Sequence, residues 1–166
     1  MSDPAQRLTD RLLLRRVTLA DLPAILRIHL DPLTNQHRPG GAPSQLEAER
    51  DIEGFIGTWQ EYGVGYWVAE LEGEVVGVAG IRPFLFCGRD SWNLYYRFAP
   101  SAWGKGLATE AACEAVTVAR ELLPARPVVA RTRPKNLSAA RVAESAGLQR
   151  RAELDADEFI IYACGW

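Results

Sequence analysis

The feature of this 166-residue chain that most constrains its fold is a β-like run that breaks at a proline, passes two glycines and enters a helix. The run is Ser91–Phe98, and the glycines are Gly104 and Gly106. Beyond them, apolar residues recur at helical spacing on one face. These residues are Leu107, Ala111, Ala115, Val118 and Leu122. The pattern predicts a strand followed by a helix that packs against a sheet, as in α/β proteins.

The start of that helix has the properties of an anion-binding site. The first backbone N–H groups of a helix have no intrahelical partner, and the macrodipole adds partial positive charge there. Lys105 adds a full positive charge beside them. The stretch Ala99–Ala112, with the sequence APSAWGKGLATEAA, is therefore predicted to bind a phosphate group.

Known phosphate motifs narrow this prediction. A Walker A loop requires Gly-x-x-x-x-Gly-Lys-[Ser/Thr], and here Gly106 follows Lys105, so that pattern fails. A dinucleotide fingerprint requires Gly-x-Gly-x-x-Gly or Ala, and Thr109 occupies the third position. Two interpretations stay open on this stretch alone. It is a pyrophosphate loop with a Gly-x-Gly core, or a glycine turn that lets the helix pack closely.

Length and composition set further limits. A chain of 166 residues has the size of a single domain, and its net charge of −2 gives no reason to expect a nucleic-acid partner. The sequence lacks a membrane-spanning apolar run and the apolar core of a signal peptide, so a cytoplasmic protein is expected. Its three cysteines form no Cys-x-x-Cys pair, so no metal site is expected. His29 and His37 are interpreted as structural or solvent-facing.

The remaining elements follow from local signals. Ser44 and Glu47 form a capping-box pattern, Gly63 can end the helix that they begin, and Glu72-Gly73 is a hairpin turn. The predicted strands are Asp10–Val17, Val64–Leu71, Glu74–Ile81, Ser91–Phe98, Val128–Arg133, Leu148–Leu154 and Glu158–Cys164. The predicted helices begin near Thr18, Ser44, Gly106 and Asn136.

A second motif lies at Asn136–Leu148, with the sequence NLSAARVAESAGL. By itself it predicts a capped helix with a glycine stop. It resembles the second signature of the GNAT superfamily of N-acetyltransferases, in which an Asn stands eleven residues before a Gly-Leu or Gly-Phe, as Asn136 does before Gly147. WGKGLATEA resembles the pyrophosphate loop of the ribosomal-protein N-acetyltransferase branch, and Arg141, Val142 and Glu144 match the R-V-x-E of that branch. The resemblance covers nearly the whole chain.

The resemblance implies an α/β (α+β) fold with a mixed, twisted sheet of roughly six to seven strands and about four helices. The fourth and fifth predicted strands, Ser91–Phe98 and Val128–Arg133, would splay apart and admit acetyl-CoA between them. The implied activity is direct transfer of the acetyl group to a primary amine in a ternary complex. The amine would belong to a protein or peptide N-terminus or to a small molecule. The expected form is a monomer or homodimer.

The same resemblance assigns the residues that would hold coenzyme A. The fourth strand would pair with the pantetheine arm, the glycine loop would bind the pyrophosphate, and the second motif would contact the cysteamine end or a phosphate. The residues assigned in this way are Phe98, Ala99, Trp103, Gly104, Lys105, Gly106, Leu107, Ala108, Thr109, Asn136 and Arg141.

The expected acids of the family are missing. Ala139 stands where the ribosomal-protein branch has Ser, and Ala143 stands where many members of the superfamily have Tyr. These absences leave a second hypothesis open, in which the chain is a non-catalytic module that binds or senses acyl-CoA. A third hypothesis is an acyltransferase that uses an acyl group longer than acetyl.

Substitutes for the missing groups can be named by residue type. The backbone N–H of Phe98, at the end of the fourth strand, is predicted to stabilise the oxyanion. The other candidates are side chains that can donate or accept a proton. They are Tyr162, Tyr95 and Tyr96 as acids, and Glu158 and Asp90 as bases.

Overall fold

The computed structural model describes residues 3–166, in which a sheet of eight strands carries helices on both faces. The strands are β1 (Gln6–Leu8), β2 (Leu12–Arg16), β3 (Tyr66–Leu71), β4 (Glu74–Phe86), β5 (Arg89–Phe98), β6 (Val128–Thr132), β7 (Gln149–Arg150) and β8 (Ile160–Cys164). The helices are α1 (Leu22–His29), α2 (Gln45–Tyr62), α3 (Leu107–Leu122) and α4 (Leu137–Ser145). The strands lie side by side in the order β1-β2-β3-β4-β5-β6-β8-β7.

The neighbours β5 and β6 run parallel and separate soon after they meet. They pair at Trp92 with Val128 and at Asn93 with Val129. β5 then continues to Phe98 with β4 on one side, and no strand formed by residues 3–166 pairs with its other side there. β5 and β6 are the predicted fourth and fifth strands, because β1 precedes them. The predicted mixed sheet with a splay between these strands is confirmed.

Helices α1 and α2 cover one face of the sheet, and α3 and α4 cover the other. On the first face, His29 of α1 and Phe55 of α2 contact the ring of Tyr95 in β5. On the second face, Tyr96 donates its hydroxyl to the carbonyl of Ala139 in α4 at 2.6 Å, and α3 packs beside α4. Successive side chains of a strand point to opposite faces. Odd-numbered residues of β5 therefore face α1 and α2, and even-numbered residues face α3 and α4.

The predicted capping signals are formed. Ser44 Oγ accepts from the Glu47 N–H at 3.2 Å, and the Glu47 carboxylate accepts from the Ser44 N–H at 2.8 Å. Gly63 ends α2 with a φ of 65°. Asn136 caps α4 with its side chain, and Gly147 follows that helix with a φ of 91°. These ends depend on local geometry, which explains why the sequence predicts them well.

The structure has eight strands where six to seven are predicted, because β1 was not foreseen. β1 pairs antiparallel with β2. Arg7 of β1 forms ion pairs with Glu114 and Glu121 of α3 at 2.5 and 3.1 Å. The segment has the sequence QRL and lacks apolar alternation, so its conformation depends on partners that are distant in sequence.

β4 and β5 extend beyond their predicted bounds and join in a tight hairpin. The turn residues Cys87 and Gly88 have φ values of 47° and 73°. Pro83 does not interrupt β4, because the register places it at a position without hydrogen bonds to β5. The pairing of β4 with β3 ends at Gly80, so the missing N–H of Pro83 faces no strand.

The predicted strand Leu148–Leu154 is shorter in the structure. Only Gln149–Arg150 pairs with β8, and a 3-10 turn follows at Ala152–Leu154. The Asp155 carboxylate accepts from the Ile161 N–H at 3.0 Å and from Arg150 at 2.7 Å. These bonds turn the chain back toward β8 before a longer strand can form.

We predict that Gly77→Ala destabilises the protein. Gly77 lies opposite Phe98, and a Cβ at Gly77 would lie 2.6 Å from Cγ and Cδ1 of the Phe98 ring. Such overpacking costs about 1–3 kcal/mol. Chemical denaturation should therefore give a lower free energy of unfolding. The control is Gly57→Ala in α2, where nothing lies within 4 Å of the added Cβ, and a gain of about 0.5–1 kcal/mol is expected. Equal effects of the two variants would contradict this account.

Candidate active site

A cleft of about 880 Å³ follows the gap between β5 and β6 and opens on both faces of the sheet. On one face it is lined by Trp103, Gly104 and the first turns of α3 and α4. On the other face it is lined by His29, Tyr66 and neighbouring side chains of α1 and α2. The gap between the strands connects these two halves, so one elongated ligand can reach both.

The glycine loop before α3 presents free backbone donors to the cleft. Gly104 and Gly106 have φ values of 72° and 74°, which favour glycine. Gly106 is the N-cap of α3, and no side chain caps this helix end. The N–H groups of Leu107, Ala108 and Thr109 therefore have no intrahelical partner, and these residues line the cleft. The arrangement suits a phosphate group.

Arg11 braces this loop, a contact that sequence reasoning missed. Its guanidinium donates to the carbonyl of Lys105 at 2.7 Å and to the carboxylate of Glu110 at 2.7 Å. Glu110 also accepts from the hydroxyl of Thr9. Although partial burial opposes ionisation, the hydrogen bonds from Thr9 and Arg11 lower the pKa of Glu110. The turn between β1 and β2 thus holds the loop in place before any ligand binds.

A backbone donor at the end of β5 faces the gap. Ala99 donates its N–H to the carbonyl of Val76 at 2.8 Å, so it is engaged with the β4 side. Because bonded residues alternate along an antiparallel strand, the N–H of Phe98 points away from β4 and into the gap. The carbonyl of Phe98 accepts from Nε1 of Trp103 at 2.9 Å. Phe98 and Trp103 line the cleft, whereas Ala99 does not.

The start of α4 completes this half of the cleft. Asn136, Ala139 and Arg141 line it, and Asn136 Oδ1 accepts from the Ala139 N–H at 3.1 Å. The hydroxyl of Tyr96 lies against the carbonyl of Ala139, at the position where the ribosomal-protein branch carries Ser. Desolvation raises the pKa of Tyr96. A hydroxyl from β5 thus lies beside Ala139.

The opposite half of the cleft contains a buried polar network. His29 Nε2 lies 3.0 Å from the Tyr95 hydroxyl, and His29 Nδ1 lies 3.2 Å from the carbonyl of Ile25. The amide of Asn93 donates to the Tyr66 hydroxyl at 2.6 Å, and the Tyr66 ring stacks on Tyr95 with centroids 4.8 Å apart. Burial, with a smaller effect of the Arg97 charge, lowers the pKa of His29 to about 4. His29 is therefore neutral at physiological pH.

Three of the predicted proton-transfer residues lie outside the cleft. Tyr162 of β8 is 7% exposed and packs in the core opposite Ala130. Glu158 has a side chain that is 60% exposed and forms an ion pair with Arg133 beside a neighbouring depression. Asp90 is exposed at the start of β5. None of these three side chains lines the cleft, so the geometry gives these three predictions no support.

Comparison with known proteins decides the family. The acetyltransferase (GNAT) domain matches residues 11–149. The chain belongs to the GNAT acetyltransferases. The relative named "Uncharacterized N-acetyltransferase YjgM" of Escherichia coli strain K12 is 34% identical to it over 110 residues, which cover 66% of this chain. The match spans 65% of the length of that curated relative.

Solved GNAT structures have the same fold over nearly the whole chain. The acetyltransferase from Agrobacterium tumefaciens str. C58 is 28% identical with a TM-score of 0.84, covering 99% of this chain and 95% of its own. RimL, a ribosomal L7/L12 α-N-protein acetyltransferase solved in complex with coenzyme A, is 18% identical with a TM-score of 0.74, covering 95% and 96%. The predicted membership of the GNAT superfamily is confirmed, with a ribosomal-protein acetyltransferase among the structural neighbours.

The GNAT fold implies acetyl-CoA, and the residues present fit that group. The N–H groups at the start of α3 are unsatisfied within the helix, and Gly104 has nothing within 4 Å of an added Cβ, so a pyrophosphate can approach. Of the predicted coenzyme residues, Ala99 and Lys105 do not line the cleft, and Lys105 is exposed.

Two further findings concern metal binding and membrane-spanning helices. Within residues 3–166, no group of three His, Cys, Asp or Glu side chains is arranged to hold a metal ion. Over the same residues, no helix is both long and apolar enough to cross a membrane.

We predict a loss of stability between pH 6.5 and about 4 that depends on His29. The pKa of His29 is lowered to about 4 in the folded state, whereas the unfolded chain takes up the proton at about 6.5. The contribution of neutral His29 to the free energy of unfolding is fully present above pH 6.5. It decreases by up to about 3 kcal/mol as the pH falls toward 4. Denaturation of the wild type and His29→Gln at pH 7 and pH 4.5 measures it. The stability advantage of the wild type should shrink at pH 4.5, and an unchanged difference would refute the assignment.

Proposed function

We propose that this GNAT protein transfers the acetyl group of acetyl-CoA to a primary amine, directly within a ternary complex. The observation that carries the proposal is a single cleft that joins a phosphate-binding helix start to a buried polar network through the gap between β5 and β6. One half suits the coenzyme. The other half, on the opposite face of the sheet, suits an acceptor.

Backbone groups would hold most of the coenzyme. The N–H groups of Leu107, Ala108 and Thr109 would bind its pyrophosphate, and the free edge of β5 at Phe98 would pair with the pantetheine arm as an added strand. Asn136 and Arg141 line the cleft where the arm would pass toward α4. The N–H of Ala99 donates to the carbonyl of Val76, so it is not available to the coenzyme. Ala99 would contribute only by fixing the position of Phe98.

When bound, acetyl-CoA supplies a thioester that an amine can attack, with formation of a C–N bond and loss of the C–S bond. The N–H of Phe98 would stabilise the negative charge that develops on the carbonyl oxygen. The hydroxyl of Tyr96, which donates its one proton to the carbonyl of Ala139 in the structure, would turn from that carbonyl to donate a hydrogen bond to the departing sulfur. A thiol with a pKa of about 8.5 is a good leaving group, so it needs little more than this.

The acceptor amine would enter beside Tyr95. Because Nδ1 of His29 lies against the carbonyl of Ile25, the proton of the neutral imidazole belongs on Nδ1, and Nε2 accepts from the Tyr95 hydroxyl. The lone pairs of the Tyr95 oxygen are then free to accept from the amine. The low pKa of His29 makes it a poor base at neutral pH, so water would take one proton from the ammonium before attack. Water would also take the second proton that the nitrogen loses once the C–N bond has formed, and the departing thiolate would take up a proton from solvent. An α-amine with a pKa near 8 is about one-tenth neutral at pH 7.

The alternative is a module that binds acyl-CoA without transferring the acyl group. The alanines at positions 139 and 143 favour it. Incubation with acetyl-CoA and a panel of peptides, amino acids, polyamines and aminoglycosides, with detection of free thiol, separates the two functions. The enzyme should release coenzyme A with at least one amine class. Thermal stabilisation by coenzyme A without thiol release from any amine would favour the module.

The same assay addresses the acyl group. An enzyme specialised for acetyl transfer should turn over acetyl-CoA faster than propionyl- or succinyl-CoA with the same amine. A preference for the longer donors would support an acyltransferase of different specificity.

We predict that Ala108→Glu weakens coenzyme A binding by about tenfold or more, because a carboxylate at the start of α3 would repel the pyrophosphate. Glutamate is favourable in the first turn of a helix, so the fold should be retained. The control is Ala125→Glu, in the exposed loop between α3 and β6. Titration calorimetry with coenzyme A measures both variants. Equal affinities would show that the phosphates bind elsewhere.

A further inference from the structure

The cleft is strongly cationic, although the whole chain has a net charge of −2. Arginines dominate its charged lining, in which Asp51 is the single acidic residue. The arginines are Arg38, Arg50, Arg82, Arg97, Arg131, Arg133 and Arg141. The phosphates of coenzyme A explain positive charge only in the half where they would bind.

Arg82 and Arg131 lie in the other half. Arg82 of β4 stands directly opposite Asn93 of β5, whose amide reaches Tyr66 on the α1–α2 face. The guanidinium of Arg131 in β6 lies 4.7 Å from the ring centroid of Phe84, which is two residues from Arg82 on the same face of β4. The phosphate-binding loop precedes α3 on the opposite face. The sheet therefore separates these two arginines from the expected position of the pyrophosphate.

Neither guanidinium has an anionic partner among the described residues. Arg133 pairs with Glu158, but no carboxylate or hydrogen-bond acceptor within residues 3–166 binds Arg82 or Arg131. Aromatic rings hold them instead, with Arg82 5.5 Å from the Tyr66 centroid, which leaves their N–H donors available. Desolvation and the charges of Arg82 and Arg133 lower the pKa of Arg131, the sign of repulsion between neighbouring cations. An anion placed between the guanidinium groups would relieve this repulsion.

We propose that the acceptor is an amine that also carries an anionic group, a carboxylate or a phosphate, and that Arg82 and Arg131 bind this group. The inference rests on the proposed function, because it requires the acceptor to enter on the α1–α2 face. The planar guanidinium offers paired donors that match the oxygens of both anions. Anchoring the anion there holds the amino group on the face that carries Tyr95 and His29, beside the gap that leads to Phe98.

The test compares acceptors with and without an anionic group, with each kcat/KM expressed per neutral amine because the two members of a pair differ in amine pKa. L-phenylalanine is paired with L-phenylalaninamide, an aspartyl dipeptide amide with its asparaginyl counterpart, and O-phosphoethanolamine with ethanolamine. The first two pairs test a carboxylate and the third tests a phosphate. In at least one pair, the anionic amine should have a kcat/KM about tenfold higher or more, as expected for a charge-assisted hydrogen bond.

The variants Arg131→Gln and Arg82→Gln locate the effect. Each should raise the KM for the anionic acceptor by about tenfold, while the KM for acetyl-CoA changes by less than about twofold. The control is Arg120→Gln, on the exposed side of α3, which should change neither constant. An equal rise in the KM for neutral acceptors, or a rise for acetyl-CoA alone, would overturn the proposal.

A binding measurement keeps the inference separate from the proposed function. In the presence of coenzyme A, the anionic amines should raise the melting temperature of the wild type more than their neutral partners, and Arg131→Gln should abolish the difference. If no amine is acetylated but this difference is observed, the catalytic function fails and the anion site stands. If amines are acetylated without regard to charge, the anion site fails and the function stands.

Discussion

The parallel pairing of β5 and β6 ends after Asn93 and Val129, and the arrangement of the cleft depends on that ending. Buried backbone donors and acceptors need partners, and β4 supplies them for only every second residue of β5. At Phe98 the carbonyl is satisfied by the indole of Trp103, while the N–H is left toward the gap. An extended ligand with amide groups of its own is the natural partner for such an edge, so the unfinished sheet itself favours the pantetheine arm.

Arg11 balances the negative charge of Glu110, which lies close to the glycine loop. Glu110 lies in the first turn of α3, where its charge stabilises the helix but opposes a bound phosphate. The guanidinium of Arg11 neutralises that charge and also holds the carbonyl of Lys105. Helix stability and phosphate binding are thereby made compatible. The turn between the first two strands, far from the loop in sequence, thus holds the loop in the conformation that the proposed phosphate binding requires.

Local patterns predicted a large part of this structure. The capping box of Ser44, the stop at Gly147 and the helix after Gly106 were all readable, because each depends on residues within one turn of the chain. The strand β1 could not be predicted in this way, because Arg7 pairs with Glu114 and Glu121 of α3, which are distant in sequence.

The site was predictable to a similar extent. The glycine loop that lines the cleft is a contiguous motif, so the sequence predicts it, and its binding of the coenzyme stays a proposal. The half of the cleft on the α1–α2 face is assembled from side chains far apart in sequence, such as His29 and Tyr95, or Arg82 and Arg131. Their proximity follows from strand register and from the packing of α1, which no single stretch of sequence encodes.

The missing acids of α4 have a different meaning once the neighbouring strand is considered. Position 139 of α4 carries alanine and so lacks a hydroxyl. The hydroxyl of Tyr96 in β5 donates to the backbone carbonyl of Ala139. A proton donor is defined by its position relative to the sulfur and not by the element that carries it, so an absent motif residue is not an absent chemical group.

The buried polar network on the α1–α2 face also supports the proposed transfer of an acetyl group. Burying His29, Asn93 and the hydroxyls of Tyr66 and Tyr95 costs free energy, which their mutual hydrogen bonds only partly recover. A module that merely holds acyl-CoA gains nothing from polar groups on the face opposite its phosphate loop. A protein that must orient an amine against a thioester does gain from them. The network therefore supports the proposed transfer to an amine over the alternative of a module that only binds acyl-CoA.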